Sequence, residues 1–237
     1  MAADILDPAD LKAQRILVIA PHPDDESLGC GGLIATLAPL RRQFRFVFVT
    51  DGGASHANSE TWSRQRLADR REAEALEAMH LLGVGDHSRT VLRLPDAGMP
   101  AEGSVEDDDA LATLAAEIGR FRPDLVLLPW RRDPHRDHRD SWSLTQRALA
   151  AAGQAPETLE YAIWLDEIGA PEDHPRPGEM EKLTFAIDSA VSAKRAATHA
   201  HLSQTTDLID DDPEAFRLTA ETIDRLTGPH EVYWRPL

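Results

Sequence analysis

Short apolar runs bounded by turn-forming residues recur along the chain. They are too short for buried helices and rich in β-branched or aromatic side chains, which is typical of strands inside a sheet. Residues 15–20 (RILVIA) stop abruptly at Pro21, and residues 125–128 (LVLL) stop at Pro129. The predicted strands are residues 15–20, 44–50, 91–94, 125–128, 161–165 and 183–187.

Between these runs, the apolar positions follow the period of an amphipathic helix. The longest such segment, residues 61–82, places Leu67, Ala75 and Met79 on one face and is ended by Gly83. The predicted helices are residues 33–40, 61–82, 107–121, 141–152, 190–202 and 221–226. Residues 169–178 contain three prolines and two glycines, which predicts a mobile surface loop.

Strands that alternate with helices predict an α/β fold, a Rossmann-like and mostly parallel sheet with helices on both faces. We expect residues 1–237 to form a single domain, because two full domains would be cramped in a chain of this length. Ligands of such sheets bind beyond the carboxyl ends of the strands. The loops that begin at Pro21 and Pro129 are therefore the first places to look for chemistry.

The formal net charge of −16 disfavours nucleic acid and anionic membranes as partners, since both repel an acidic surface. No apolar run approaches the ~20 residues of a membrane span, and the first residues lack the pattern of a signal peptide. Cys30 is the single cysteine, and we interpret it as a buried residue rather than a nucleophile. These features favour a cytoplasmic protein, and a homo-oligomer is compatible with them.

A histidine and three consecutive acids follow the first predicted strand. His22, Asp24, Asp25 and Glu26 lie between prolines and a glycine-rich segment, residues 29–32. Like charges this close repel one another unless a cation or a buried proton offsets them, and His and Asp are normal zinc ligands. An acidic helix N-terminus would explain one or two of the acids but not the histidine. In a dinucleotide site, the acids would occupy the place of the pyrophosphate, and the glycines come too late.

Two histidines alternate with carboxylates after the strand at residues 125–128. Residues 133–138 read Asp-Pro-His-Arg-Asp-His, which taken alone suggests a surface loop of mixed charge. Because parallel strands end at the same edge of a sheet, this loop can meet the first cluster. One metal ion could then take His22, Asp25 and one of the two histidines, leaving a fourth position for water as in catalytic zinc sites.

Together, the two clusters resemble the zinc-dependent N-acetylglucosaminyl deacetylases. This family includes the glycosylphosphatidylinositol de-N-acetylases and the bacterial thiol-biosynthesis deacetylases. The resemblance rests on residues 21–26 (PHPDDE), residues 29–32 and residues 133–138 (DPHRDH), although Arg136 stands where the family often has proline. Weaker matches are residues 50–52, 71–74 and 82–84, Lys194, and Ser203 with Gln204.

The resemblance implies a zinc enzyme that removes the N-acetyl group of an amino sugar conjugate. It implies that the metal ligands are His22, Asp25 and His138. Asp24 would be the general base that takes a proton from the attacking water. His135, in its protonated form, would stabilise the oxyanion, and Asp137 would orient and charge-balance a histidine.

Substrate contacts are expected from Arg71, with Arg70 as a close rival, and from Asp51 after the second strand. Trp130 and Trp164 lie near predicted strand ends, and either could form the floor of a sugar site, although packing in the core or rim is the simpler interpretation. His199 and His201 lie two residues apart on a predicted helix and do not face each other, so we exclude them as ligands.

Two other functions stay open at this point. The same zinc chemistry could act on a non-sugar N-acyl amide, because the sequence does not show the part of the pocket distant from the reacting bond. A non-catalytic metal-binding protein is the other alternative. The presence of Asp24 and His135 speaks against it, since metal binding alone requires neither residue.

Overall fold

The computed structural model describes residues 5–237. Its strands are β1 (Ile5–Leu6), β2 (Arg15–Ala20), β3 (Gln43–Thr50), β4 (Ser88–Leu94), β5 (Leu125–Pro129), β6 (Glu157–Tyr161), β7 (Met180–Ala186) and β8 (His230–Pro236). Its helices are α1 (Asp25–Leu37), α2 (Arg64–Leu81), α3 (Val105–Phe121), α4 (Arg136–Ala151), α5 (Leu165–Ile168), α6 (Val191–Ala200), α7 (Leu202–Thr205) and α8 (Ala220–Leu226). Among these residues, no helix is both long and apolar enough to cross a membrane. Residues 1–4, which belong to the segment judged not to be a signal peptide, lie outside the described residues.

The strands form one sheet in the order β1-β7-β8-β6-β5-β2-β3-β4. Neighbouring strands are parallel except at β8, which runs antiparallel to β6 and β7. The predicted α/β fold with a mostly parallel sheet is thus confirmed. Strand β2 has β3 on one side and β5 on the other, so the strand order reverses between β2 and β5. Open α/β sheets bind their ligands at such a reversal.

Side chains of β2 alternate between two hydrophobic layers. Ile16 and Val18 belong to one cluster, which also holds residues of α1, α2 and α6, whereas Leu17 and Ile19 belong to another with residues of α3 and α4. A strand covered on both faces must be apolar at every position. This explains the continuous run in the sequence and confirms that helices cover both faces.

Helix α1 begins at Asp25, well before the predicted start at residue 33. The glycines suggest a loop, but they lie inside the helix because it packs tightly onto neighbouring side chains. A Cβ atom on Gly29 would lie 2.3 Å from the ring of Tyr161, and one on Gly32 would lie 2.3 Å from Ile187. Asp25 therefore stands in the first turn of a helix that is pressed onto the sheet.

Helix α4 begins at Arg136, whereas the sequence predicts a start at residue 141. Its first turn is a run of charged residues without an apolar stripe, which hides the helix from the sequence pattern. Asp137 and His138 are nevertheless buried, because this turn enters the edge of the sheet where β2 and β5 end. The two histidines of the second cluster therefore lie at a helix N-terminus rather than in a loop.

The strand predicted at residues 161–165 is wrong except at its first residue. Strand β6 ends at Tyr161, and residues 165–168 form α5. Glu160 is buried in β6 and pairs with Arg131, so an acid interrupts the apolar pattern. The sequence also does not predict β8, in which Glu231 is buried while Val232 is exposed.

The segment at residues 169–178 contains a short 3-10 helix, Pro171–Asp173, but no α-helix or strand. It is attached to the body of the protein through Trp130, whose Nε1 donates to the carbonyl oxygen of Asp173 at 2.8 Å. Arg132 likewise donates to the carbonyl oxygen of His174 at 3.0 Å.

Candidate active site

The loops after β2 and β5 meet at the carboxyl edge of the sheet. They border a cavity of about 430 Å³, a size typical of small-molecule sites. The residues of the two sequence clusters that line it are His22, Asp24, Asp25 and His135. Asp137 and His138 are buried directly behind this lining, in contact with its side chains.

Asp25 lies between two histidine rings. Its Oδ2 is 3.2 Å from Nδ1 of His22 and 3.3 Å from Nε2 of His138. The same oxygen accepts a hydrogen bond from the backbone N–H of His22 at 2.9 Å, which fixes its orientation. One carboxylate oxygen and two ring nitrogens thus converge, and these are donor atoms that bind zinc in proteins.

The surroundings of these rings favour a positive charge. Although burial disfavours a charged ring, hydrogen bonds to Asp137 and Asp25 raise the pKa of His22 well above its usual value. Burial also opposes protonation of His138, but the charges of Asp25 and Asp133 raise its pKa to about 9. Despite burial, the charge on the two rings holds the pKa of Asp25 well below its usual value. A divalent cation would satisfy the same carboxylates without the extra protons.

The ring of His138 supports this interpretation. Both of its nitrogens are buried and have no hydrogen-bond partner among residues 5–237. Buried polar atoms without partners are uncommon and often belong to an ion or water site. Two sets of side chains bring donor atoms within 4.8 Å of one another, namely His22 with His135 and His138, and His22 with Asp96 and Asp137, and Asp25 borders both through its contacts with His22 and His138. The residues present therefore fit a metal ion.

Asp24 forms an ion pair with Arg71. Its Oδ2 accepts a hydrogen bond from Nη2 of Arg71 at 2.9 Å, and both side chains are buried. Arg71 also donates to the carbonyl oxygens of Pro23 and Gly52, so it joins the loops after β2 and β3. Burial raises the pKa of Asp24 to about 6, and the charge of Arg71 limits this rise. Such a carboxyl can exchange a proton near neutral pH.

His135 is half-buried on the cavity wall, and its ring is not paired with the carboxylate of Asp137. Its Nδ1 accepts the backbone N–H of Asp137 at 3.2 Å, which leaves the ring hydrogen on Nε2. The carboxylate of Asp137 instead lies 3.2 Å from Nε2 of His22 and accepts the N–H of Ala97. Burial and the charges of His138 and His22 lower the pKa of His135 to about 4. The geometry therefore favours a neutral ring, whereas the resemblance implies a protonated one.

Of the three residues expected to contact the substrate, one lines the cavity and two do not. Arg71 lines the cavity. Arg70 points elsewhere and pairs with Glu74 at 2.7 Å, because adjacent residues of a helix face different directions. Asp51 lies outside the lining as well, since its carboxylate is bound by Arg64 at 2.8 and 3.0 Å.

The three consecutive acids do not share one counter-ion. Glu26 turns to the other side of α1, where its Oε1 lies 3.0 Å from Nε2 of His201 and accepts the hydroxyl of Ser27. Burial opposes a charge on His201, but Glu26 raises its pKa. His201 is thus a buried partner of an acid, and it belongs to neither set of converging donor atoms. Cys30, on the same helix, is buried, and burial raises the pKa of its thiol well above its usual value.

Residues 17–149, more than half of the chain, match the protein family described as PIG-L: GlcNAc-PI de-N-acetylase. The chain belongs to this family. The resemblance carried by the two motifs is thereby confirmed, and so is the expectation of a metal-dependent hydrolase that acts on an N-acyl bond.

Three proteins are similar to this PIG-L family chain in sequence or in structure. The 1D-myo-inositol 2-acetamido-2-deoxy-alpha-D-glucopyranoside deacetylase of Rhodococcus jostii (strain RHA1) is 28% identical over 247 residues, covering 83% of this chain and 83% of that protein. The diacetylchitobiose deacetylase of Thermococcus kodakarensis is 31% identical over 146 residues, covering 59% of this chain and 51% of that protein. The structure of N,N'-diacetylchitobiose deacetylase from Pyrococcus horikoshii superimposes with a TM-score of 0.66 at 25% identity, covering 86% of this chain and 75% of that one.

Two buried acids of this PIG-L family chain have no role assigned from the sequence, although Asp133 belongs to the second motif. Asp96 follows β4 and reaches the cavity, where its Oδ1 lies 3.3 Å from Nε2 of His22. Asp133 is fully buried, and its Oδ1 lies 3.5 Å from Nδ1 of His138. Each stands just after the end of a strand, and that placement is the available signal. Carboxylates behind metal-binding histidines fix the orientation of the rings.

The two tryptophans near strand ends have different surroundings. Trp130 is fully buried and lies outside the cavity lining. Trp164 lines the cavity, and its ring meets that of Phe216 edge to face, with centroids 5.5 Å apart. The packing interpretation therefore holds for Trp130, and Trp164 is available to a ligand.

Proposed function

We propose that this chain removes the N-acetyl group from an amino sugar conjugate, with one zinc ion bound by His22, Asp25 and His138. The observation that carries the proposal is the placement of Asp25 between two histidine rings, beside the Asp24–Arg71 pair and in one cavity. A general base next to a metal site is an arrangement that can activate water for hydrolysis of an amide.

The choice of ligands rests on the atoms that surround Asp25. Its Oδ2 faces Nδ1 of His22 and Nε2 of His138, and Nε2 of His138 has no hydrogen-bond partner among residues 5–237. When bound, zinc supplies Lewis acidity that activates water and polarises the amide carbonyl.

Asp24 is the proposed general base. It takes a proton from the attacking water, and Arg71 keeps its carboxylate oriented and ionised. Because the ring of His135 is neutral, we propose that Asp24 also returns this proton to the leaving nitrogen. A pKa of about 6 suits a group that must both accept and donate near neutral pH.

His135 is proposed to stabilise the oxyanion as a neutral donor through its Nε2–H. Asp137 positions His22 rather than His135, since its Oδ2 lies 3.2 Å from Nε2 of His22. A proton held on Nε2 by this carboxylate leaves Nδ1 of His22 free for the metal. The carboxylate of Asp133 lies farther away, 3.5 Å from Nδ1 of His138, and its charge favours a proton on that nitrogen.

We further propose that residues 1–237 act as one catalytic domain in the cytoplasm. The continuous sheet from β1 to β8 supports the first part. The second is supported by the single cysteine, Cys30, since a chain without a disulfide framework suits a reducing compartment.

The test is a comparison of substrates with and without the sugar. Purified protein, with its metal content determined by elemental analysis, is assayed for released amine on N-acetylglucosaminides and on N-acetylated amino acids and alkylamines. We expect turnover of the sugars that is abolished by a chelator and restored by zinc. Faster turnover of the non-sugar amides would contradict the substrate assignment, and zinc binding without any turnover would contradict the enzyme itself.

A further inference from the structure

The cavity beside the proposed metal ligands has two chemically different sides. Asp24, Arg71 and Asp96 provide charged groups on one side, and all three are buried. Away from the proposed metal ligands, most of the remaining lining residues are apolar and come from separate segments of the chain, with the polar Ser55, Glu167 and Gln204 among them; the apolar ones are Leu28, Ala54, Ala97, Trp164, Ile168 and Phe216.

The apolar side runs from the buried interior to the mouth of the cavity. Leu28 is 2% exposed, whereas Phe216 is 42% and Ile168 is 66% exposed. Large apolar side chains that stay exposed beside a cavity are typical of ligand-binding surfaces. Because the reacting groups are buried, these exposed residues face the part of a substrate that is remote from the scissile amide.

Backbone hydrogen bonds hold the apolar residues in place. The N–H of Trp164 donates to Oδ2 of Asp133 at 3.2 Å, and Asp133 is fully buried. The N–H of Phe216 donates to the carbonyl oxygen of Ser55 at 2.9 Å. These bonds fix the backbone of both residues, and the two rings pack against each other edge to face, which reduces the entropy lost on binding.

The charges of the cavity disfavour an anionic group at the mouth. Asp24, Asp96 and Glu167 all line the cavity, with Glu167 paired to Arg225 at 2.7 Å. Arg71 is the lining cation, and it already donates to Asp24.

The carboxylate of Glu167 already accepts hydrogen bonds from Thr222 and Arg225. Among Trp164, Ile168 and Phe216, only the indole N–H of Trp164 can hydrogen-bond to a polyol, so most of its hydroxyl groups would face apolar surface without a partner. An uncharged apolar group meets neither penalty.

We propose that Trp164, Ile168 and Phe216, here called the apolar mouth, bind an uncharged alkyl or aryl aglycone of the sugar. This inference rests on the proposed function and narrows its substrates to N-acetyl amino sugars linked to an apolar group. The myo-inositol conjugate in the name of the Rhodococcus jostii relative is a polyol and lies outside this class. Each methylene buried at the apolar mouth increases kcat/KM about fourfold, until the aglycone extends beyond the protein.

The first experiment varies the aglycone. Zinc-loaded enzyme is assayed on methyl, butyl, hexyl and phenyl β-glycosides of N-acetylglucosamine and on N-acetylglucosamine 1-phosphate. We expect kcat/KM to rise with alkyl length and to be lowest for the phosphate. Equal values for all the neutral glycosides would overturn the inference and leave the deacetylase function intact. A gain that follows the length of the N-acyl chain instead would show that the mouth binds the acyl group, and the aglycone assignment would be wrong.

The second experiment changes the apolar mouth. In Trp164→Ala and Phe216→Ala, we expect the hexyl-to-methyl ratio of kcat/KM to fall toward one. Val105→Ala is the matched control, because Val105 is a 73% exposed apolar residue on α3 that lies outside the cavity lining. The control should keep the ratio of the unchanged enzyme. A ratio that persists in both aromatic variants would contradict the inference.

A binding measurement separates the inference from the proposed reaction. Octyl β-glucoside, below its micelle concentration, and methyl β-glucoside carry no amide and are compared by calorimetry on the zinc-loaded enzyme. Tighter binding of the octyl glucoside that is lost in Phe216→Ala supports the apolar mouth even if no glycoside is hydrolysed. Equal binding of the two glucosides overturns it.

Discussion

The guanidinium of Arg71 lies 2.9 Å from the carboxylate of Asp24, and neither residue is more than 5% exposed. Burial alone drives the pKa of a carboxyl upward, and a neighbouring positive charge counters it. The pair therefore sets the pH range in which Asp24 can act as a base. The adjacent Arg70 has no part in it, since its side chain pairs with Glu74.

Replacing Arg71 should move the acid limb of the activity profile. In Arg71→Met, burial of Asp24 is no longer opposed by the guanidinium, so we expect the lower apparent pKa of kcat/KM to rise. The measurement is the pH dependence of kcat/KM on one N-acetylglucosaminide. Arg70→Met is the matched control and should keep the profile of the unchanged enzyme. A shift of equal size in both variants would mean that Arg71 has no specific relationship to Asp24.

Activity should fall as the pH is lowered through the pKa of Asp24. The base works in its ionised form, so kcat/KM is fully present above this pKa and decreases about tenfold per pH unit below it. Burial raises the pKa of Asp24 to about 6, and a bound cation nearby favours the ionised form, so we expect a midpoint at or below about 6. A midpoint well above this value would exclude Asp24 as the titrating group.

Replacement of Asp24 should lower the reaction rate, whereas replacement of Asp25 should remove the metal. Asp24→Asn is expected to keep the metal and to lose about 10²- to 10⁴-fold in rate, because it removes a base and not a ligand. Asp25→Asn is expected to lose the metal, since its Oδ2 contacts both rings. Metal content by elemental analysis and kcat on the same preparations provide the test. If Asp24→Asn loses the metal instead, the two roles must be exchanged.

Much of the site is predictable because its residues are consecutive in the sequence and follow strands. The periodicity of α2 even distinguishes Arg71 from Arg70, since Leu67, Arg71 and Ala75 are spaced four residues apart and share the buried face. Asp96 escapes prediction because a single acid has no pattern, and only the folded chain brings it to a histidine. Asp133 belongs to a recognised motif, but only the folded chain shows that it lies beside His138.

The partner of Asp137 is hard to predict for a geometric reason. Proximity in sequence suggests that it pairs with His135, but the turn that starts α4 directs the carboxylate to His22 and the backbone N–H to His135. The predicted start of α1 is displaced because glycines usually interrupt helices. Here, the close contact with Tyr161 requires a glycine at position 29, and sequence periodicity carries no information on such contacts.

Removal of the negative charge behind His138 should weaken metal binding. Asp133→Asn keeps an oxygen acceptor for the N–H groups of Ile163 and Trp164. It replaces the oxygen that faces His138 with an NH2 group, which no longer favours a proton on Nδ1 of His138, so we expect zinc affinity to fall about 10- to 100-fold. Chelator competition measures it, and thermal unfolding checks the fold. Asp140→Asn, on the same helix as His138 and paired with Arg136, is the control. Unchanged affinity in Asp133→Asn would contradict the positioning role.

The variant His135→Gln tests whether His135 acts as a neutral hydrogen-bond donor or as a cation. The amide can replace the Nε2–H only imperfectly, so we expect kcat to fall about 10²- to 10³-fold while zinc content stays unchanged. Because the pKa of His135 is lowered to about 4, its ring loses no proton in the neutral and alkaline range. The basic limb of kcat/KM should therefore be the same in the variant and in the unchanged enzyme. A basic limb that disappears in His135→Gln would show that the ring works in its protonated form, as the sequence resemblance implies, and that the bound metal environment holds its proton against burial.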